Sequence, residues 1–181
     1  MTIDDVPSLV VAISRIPYGR PSVPTGAGAV DAVVDEWRGT CSSKHLVLQT
    51  AVPLVEPGRT VELTHRVYRV DRATARERWN EQIARQVPAG GLVDVHTYGI
   101  LQPGGVVVDV TLPVDSWDGH SAMRLACMEG EDVSAGDAPG ATKAALVDRH
   151  CDPVVRERFI AALAAEYGDD PPSTPRTSTN G

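Results

Sequence analysis

The sequence predicts an α+β domain, with a helix bearing Cys41 packed on an antiparallel sheet. Three observations carry this reading. Apolar residues recur at three- and four-residue spacing near residues 28–37 and 153–167. Residues 61–70 alternate with period two, and the strand-like runs 92–101 and 106–112 are joined by a tight Gln102-Pro-Gly-Gly turn. The chain has 181 residues, enough for one domain with a substantial core. A single domain over residues 1–168 is expected, followed by a disordered tail at 169–181, where Asp, Pro, Ser and Thr leave nothing to bury.

Taken in order, residues 7–13 are an apolar run too short for periodicity to separate strand from helix. Pro17, Pro21 and Pro24 make the next stretch an extended surface loop, because proline fixes φ and removes donors. Val30, Val33, Val34 and Trp37 form one stripe of a short helix over Gly28–Trp37. A second helix is expected from Thr40 or Cys41 to Val52, stopped by Pro53. Its apolar residues spread around the circumference, as in a helix surrounded by protein.

Val61–Val70 reads as a strand, and its edge is the expected surface for a homodimer. Ala73–Val87 carries alternating charges around Trp79, Ile83 and Ala84, which predicts a solvent-facing helix. Between the strands Leu92–Leu101 and Val106–Leu112, Pro103-Gly104 suits the central positions of a type II turn. Residues 130–142 are rich in Gly, Asp, Ser and Pro and read as loop, and Pro153–Tyr167 as a final helix.

Composition excludes several classes. The formal charge of −7 lacks the basic footprint of a nucleic-acid binder. No apolar run approaches the ~20 residues of a membrane span. Met1-Thr-Ile-Asp-Asp is unlike a secretory signal, and three cysteines are an odd, sparse set. A cytoplasmic protein with reduced thiols is expected.

The chemistry centres on Cys41. It stands at a helix start, where the first-turn N–H groups favour a thiolate, the nucleophilic form of the side chain. A cysteine nucleophile needs an imidazole to move its proton, and the imidazole needs a carboxylate on its other nitrogen. His96 shares a strand face with Leu92, Asp94 and Tyr98. If the hairpin closes on Pro103-Gly104, opposed residue numbers sum to 207. His96 then faces Thr111, Tyr98 faces Asp109, and His96 and Asp109 become same-face diagonal neighbours. A three-residue loop would separate them onto opposite faces. Asp109 is the most informative of the three, since a carboxylate amid Val106, Val107, Val108 and Val110 is costly unless paired.

Gly39-Thr-Cys41-Ser-Ser-Lys-His, His96-Thr-Tyr98 and Val108-Asp109-Val-Thr111 together resemble the transglutaminase-like superfamily, within the papain-like group of thiol enzymes. In that family the last piece usually reads Asp-Pro-Thr; here Val110 replaces the proline. The resemblance covers about residues 28–115 and implies a Cys41–His96–Asp109 triad. Arg38-Gly39-Thr-Cys41 is also similar to the Arg-Gly-Gly-x-Cys of arylamine N-acetyltransferases. It lacks the second glycine, so acetyl-CoA is not implied, and no cofactor is expected.

These readings predict acyl transfer or hydrolysis on a small-molecule, peptide or carrier-bound acyl substrate. Six arginines within residues 61–88 could steer an acidic carrier. His45, Gln49, Trp37 and Tyr98 are candidate neighbours of the site. The Cys41 N–H is one candidate oxyanion donor, with Gln49, Trp37 and Asn80 considered for the second. The alternatives are a non-catalytic relative that binds a peptide or partner, and a metal-binding protein using Cys41, His45, His65 and His96. A single Cys-x3-His spacing is a weak zinc signal.

Overall fold

The computed structural model describes residues 3–168, so the expected tail at 169–181 lies outside the described residues. The elements are α1 (Val6–Ser14), α2 (Ala29–Glu36), α3 (Cys41–Val55), β1 (Thr60–Val70), α4 (Arg72–Arg78), α5 (Glu81–Ala84), β2 (Leu92–Gln102), β3 (Val106–Val108), β4 (Gly130–Ser134), α6 (Pro139–His150) and α7 (Pro153–Tyr167). The four strands form one sheet in the order β3-β2-β1-β4, every neighbour antiparallel. This is a mixed α+β architecture.

Strand alternation divides the core in two. Val61, Leu63 and Leu101 point toward α1, α2 and α3, where Val10, Val33, Leu48 and Val52 are fully buried or nearly so. Tyr68, Val70 and Leu92 point the other way, against Ala75, Ile83, Val87, Phe159 and Leu163 from α4, α5, α7 and the chain between. Both faces of the sheet are therefore covered. Gly99 of β2 makes room for the Val61 side chain of the neighbouring β1, since a Cβ there would stand 2.8 Å from Val61 Cγ1.

Several expectations need correction. Residues 7–13 lie in the helix α1, capped by Asp5, whose side chain accepts the Ser8 N–H. Pro53 does not stop α3, which continues to Val55. Proline this close to a carboxyl end removes one hydrogen bond, and the Glu56 N–H still reaches Val52 O at 2.9 Å. Of the α2 stripe only Val33 is fully buried, while Val34 and Trp37 are exposed. The predicted helix 73–87 is broken at Trp79-Asn80, because the Asn80 side chain accepts the Ile83 N–H and starts α5 afresh. Nor is it purely solvent-facing: Ala75, Ile83, Ala84 and Val87 are core.

β1 offers no dimer edge. It is paired on one side with β2 and on the other with β4. The second hairpin strand ends at Val108, not Leu112. Its turn is not type II, since the Gln102–Pro103 bond is cis and Gly104 and Gly105 both have positive φ. Residues 130–142 are not simply loop, for they contain β4 and the start of α6.

Candidate active site

α3 begins at Cys41 with its amino end organised by a capping box. Thr40 and Ser43 exchange side-chain and backbone bonds, with Thr40 N–H donating to Ser43 Oγ at 2.9 Å. Such a box contributes about 1 kcal/mol and fixes the first turn. Ser42 Oγ lies 3.1 Å from Thr97 Oγ1, which sets that turn against β2. β3 holds β2 only at residues 99–101, so the β2 edge from Leu92 to Tyr98 has no paired strand on that side among the described residues. The amino end of α3 and the chain just beyond β3 meet at that edge.

The register decides what meets there. Gly99–Val108, Ile100–Val107 and Leu101–Val106 are paired, each summing to 207 as expected. Asp109 follows immediately, and its Oδ2 lies 2.8 Å from His96 Nε2. The carboxylate also accepts the Ala126 N–H at 2.7 Å and the Thr111 N–H at 2.9 Å. Burial alone would raise its pKa, but the His96 charge and these hydrogen bonds hold it well below the usual carboxylate range. Burial likewise opposes charge on His96, yet Asp109 and the Cys41 sulfur raise its pKa to about 10.

Cys41 and His96 line the same small cavity, and with Nε2 given to Asp109 the Nδ1 nitrogen is left for the sulfur. Cys41 is buried, which would push a thiol up. The Lys143 ammonium and the His96 imidazole outweigh burial and hold its pKa well below the ordinary value. Both shifts favour a thiolate beside an imidazolium. The other two cysteines differ. Burial pushes Cys127 up to about 12 and Cys151 up to about 11.

Lys143 was not legible from the sequence. It projects from α6, is 8% exposed, and sends Nζ to Cys41 Sγ at 3.1 Å, Ser42 Oγ at 2.8 Å and Thr97 Oγ1 at 3.1 Å. The helix signal was present: Pro at the first turn, an Ala- and Leu-containing stretch, and Arg149 and His150 in the last turn. Nothing in that pattern points Lys143 at a sulfur.

The proposed neighbours separate. His45 donates Nδ1–H to Cys41 O at 2.6 Å, so its Nε2 is the acceptor for the Val110 N–H at 3.2 Å. It ties the helix bearing Cys41 to the chain bearing Asp109, and burial lowers its pKa, keeping it neutral. Gln49 is spent on Val61 O at 3.0 Å, and Asn80 on the α5 cap. Trp37 is 48% exposed at the end of α2. None of the three has a hydrogen bond at the sulfur. Tyr98 does not join Asp109 either; its ring lies beneath the Arg66 guanidinium, 5.5 Å from carbon to centroid. Tyr18, also missed, lines the same two cavities as Cys41.

The larger of these cavities, about 310 Å³, is bounded by Tyr18, Cys41, Lys143, Val147, Arg156 and Ile160, among others. Its volume lies in the range of small-molecule sites. No group of three or more His, Cys, Asp or Glu side chains is arranged to hold a metal among the described residues. Compared with family models, curated proteins and solved structures, the chain has no match in any of the three.

Proposed function

We propose that this protein is a transglutaminase-like thiol enzyme that transfers or hydrolyses acyl groups on small-molecule, peptide or carrier-bound substrates. The observation that carries the reading is the His96–Asp109 contact of 2.8 Å behind a cysteine at a helix start. In this mechanism the Cys41 thiolate attacks an amide, ester or thioester carbonyl, forming the carbon–sulfur bond and moving the carbonyl π pair onto oxygen. The tetrahedral intermediate collapses as the carbon–leaving-group bond breaks, and imidazolium His96 gives its proton to the leaving group. Water or an amine then attacks the thioester carbonyl and gives its proton to His96. The carbon–sulfur bond breaks, and the acid or amide leaves with the Cys41 thiolate and His96 imidazolium restored. Asp109 fixes the ring and stabilises its charged form. Three free thiols, Cys41, Cys127 and Cys151, support a reducing compartment.

The test is to incubate the protein with acyl thioesters, peptides and glutamine amides and to look for an acyl mass increment on Cys41. Wild-type protein is expected to take up one acyl group, and Cys41→Ala none while keeping its fold. Full turnover by the alanine variant would refute the mechanism.

A further inference from the structure

We propose that Lys143 is a catalytic residue: its ammonium, together with the Cys41 N–H, binds the oxyanion formed when Cys41 attacks a carbonyl. The inference rests on the reading of Cys41 as an acyl-accepting nucleophile and supplies the second oxyanion donor that Gln49, Trp37 and Asn80 do not.

The geometry is that of a fixed donor. An ammonium has three N–H bonds, and Lys143 has three acceptors, Cys41 Sγ, Ser42 Oγ and Thr97 Oγ1. The two hydroxyls are themselves held. His65 Nε2 bonds Pro139 O at 2.9 Å, a carbonyl that can only accept, so the proton is on Nε2 and Nδ1 accepts. Thr97 therefore donates its hydroxyl hydrogen to His65 Nδ1, 3.1 Å away, and offers its oxygen lone pairs to Lys143. Pro139 opens α6, the helix that carries Lys143, so the chain of bonds closes on the element it positions.

One N–H of this anchored ammonium points at sulfur, and sulfur is the atom that loses negative charge on attack. As the carbon–sulfur bond forms, the charge moves to the carbonyl oxygen, which is bonded to the same carbon. The Lys143 N–H that faced the thiolate can follow the charge with little movement, and no proton is transferred to the oxygen. The Cys41 N–H is the natural companion, since the first N–H groups of a helix have no intrahelical acceptor. Sulfur and ammonium line the same cavity of about 310 Å³, from which a carbonyl would approach both. Preorganised donors of this kind act strongly because the site is largely shielded from water.

A structural or thiolate-holding lysine makes a different prediction, which two probes separate. Iodoacetamide alkylates the thiolate by displacement, with no oxyanion. p-Nitrophenyl acetate acylates it through an oxyanion and releases a phenolate that needs no proton. Both rates are to be measured against pH on wild-type protein, Lys143→Met and Lys143→Leu, neither of which leaves a donor at that place, with mass spectrometry locating the adduct and circular dichroism checking the fold. In both variants alkylation should regain the wild-type plateau once the thiol is ionised, while acetylation should remain about 100- to 1,000-fold slower. Recovery of acetylation in step with alkylation in either folded variant would overturn the role of Lys143 and leave Cys41 as nucleophile. Absence of acetyl on wild-type Cys41, with alkylation intact, would overturn the thiol-enzyme reading and this inference with it.

Discussion

His96 Nε2 and Asp109 Oδ2 lie 2.8 Å apart across the end of a hairpin whose second strand has only three residues. The contact exists because β3 stops one residue before Asp109, freeing the carboxylate to turn across the β2 edge where the amino end of α3 arrives. Asp109 is not left to one partner, since the Thr111 and Ala126 N–H groups also donate to it. Removing it therefore has both a chemical and a structural consequence.

Asp109→Ala should lower the rate of Cys41 acylation by about 1,000- to 10,000-fold, the loss typical when the imidazole loses the acid that fixes its tautomer. It should also destabilise the fold by about 3–5 kcal/mol, because a buried imidazolium loses its partner. Acylation rates and urea unfolding of the same preparation check the two effects. A variant as stable and as fast as wild type would remove Asp109 from the mechanism.

Alkylation should single out one thiol. The Cys41 pKa is depressed, so its thiolate persists as pH falls below the ordinary thiol value and is lost only as pH falls through the lowered value. Cys127 and Cys151 are raised to about 12 and about 11 and remain protonated. Limited iodoacetamide at neutral pH should give one adduct, on Cys41, with a rate nearly flat through neutrality. Preferential labelling of Cys127 or Cys151, or a Cys41 rate rising tenfold per pH unit, would contradict this charge state.

His45 is expected to act on position alone. His45→Leu removes the acceptor for the buried Val110 N–H and should cost about 1–3 kcal/mol in unfolding free energy. The thiolate keeps Lys143 and His96, so the pH profile of Cys41 alkylation should not move. A shift of that profile by a full pH unit would instead place His45 in direct support of the sulfur.

Much of the site was legible because its residues are local to strong signals. Cys41 follows a Gly-Thr turn before a helical pattern, and the Pro103-Gly104 turn sets a register in which His96 and Asp109 share a face. That register holds although the turn is built differently, with two left-handed glycines instead of one. What could not be read depends on packing between distant elements. Lys143 reaches Cys41 across 102 residues of chain, and no periodicity encodes such a contact. The strand β4 was hidden in Gly130-Glu-Asp-Val-Ser, whose apolar content is one valine and whose place comes from pairing with Thr64–Tyr68. The same pairing makes β1 an interior strand, which its own alternating pattern could not disclose.

Lys44 provides the last test, through stability instead of catalysis. Its ammonium is fully buried and donates to Ser14 O at 3.1 Å and Thr111 O at 3.0 Å, linking α1 to the chain after Asp109. Burial lowers its pKa from 10.5 to about 7. Above about pH 7 the folded chain has released this proton while the unfolded chain still holds it, so stability should rise with pH, by at most about 1.4 kcal/mol per unit. Cys41 and His96 do not cancel the trend. The folded pair keeps one proton on the imidazole, and the unfolded pair keeps one on the thiol until about pH 8.5. Urea unfolding between about pH 7 and pH 8 should show a more positive slope in wild-type protein than in Lys44→Met, where the raised thiols of Cys127 and Cys151 make stability fall toward the ordinary thiol range. The methionine variant leaves the Ser14 and Thr111 carbonyls without this donor, so its absolute stability is a poor guide and the slope is the informative quantity. An equal slope in both proteins would mean that Lys44 keeps its charge in the core and that other groups set the pH dependence.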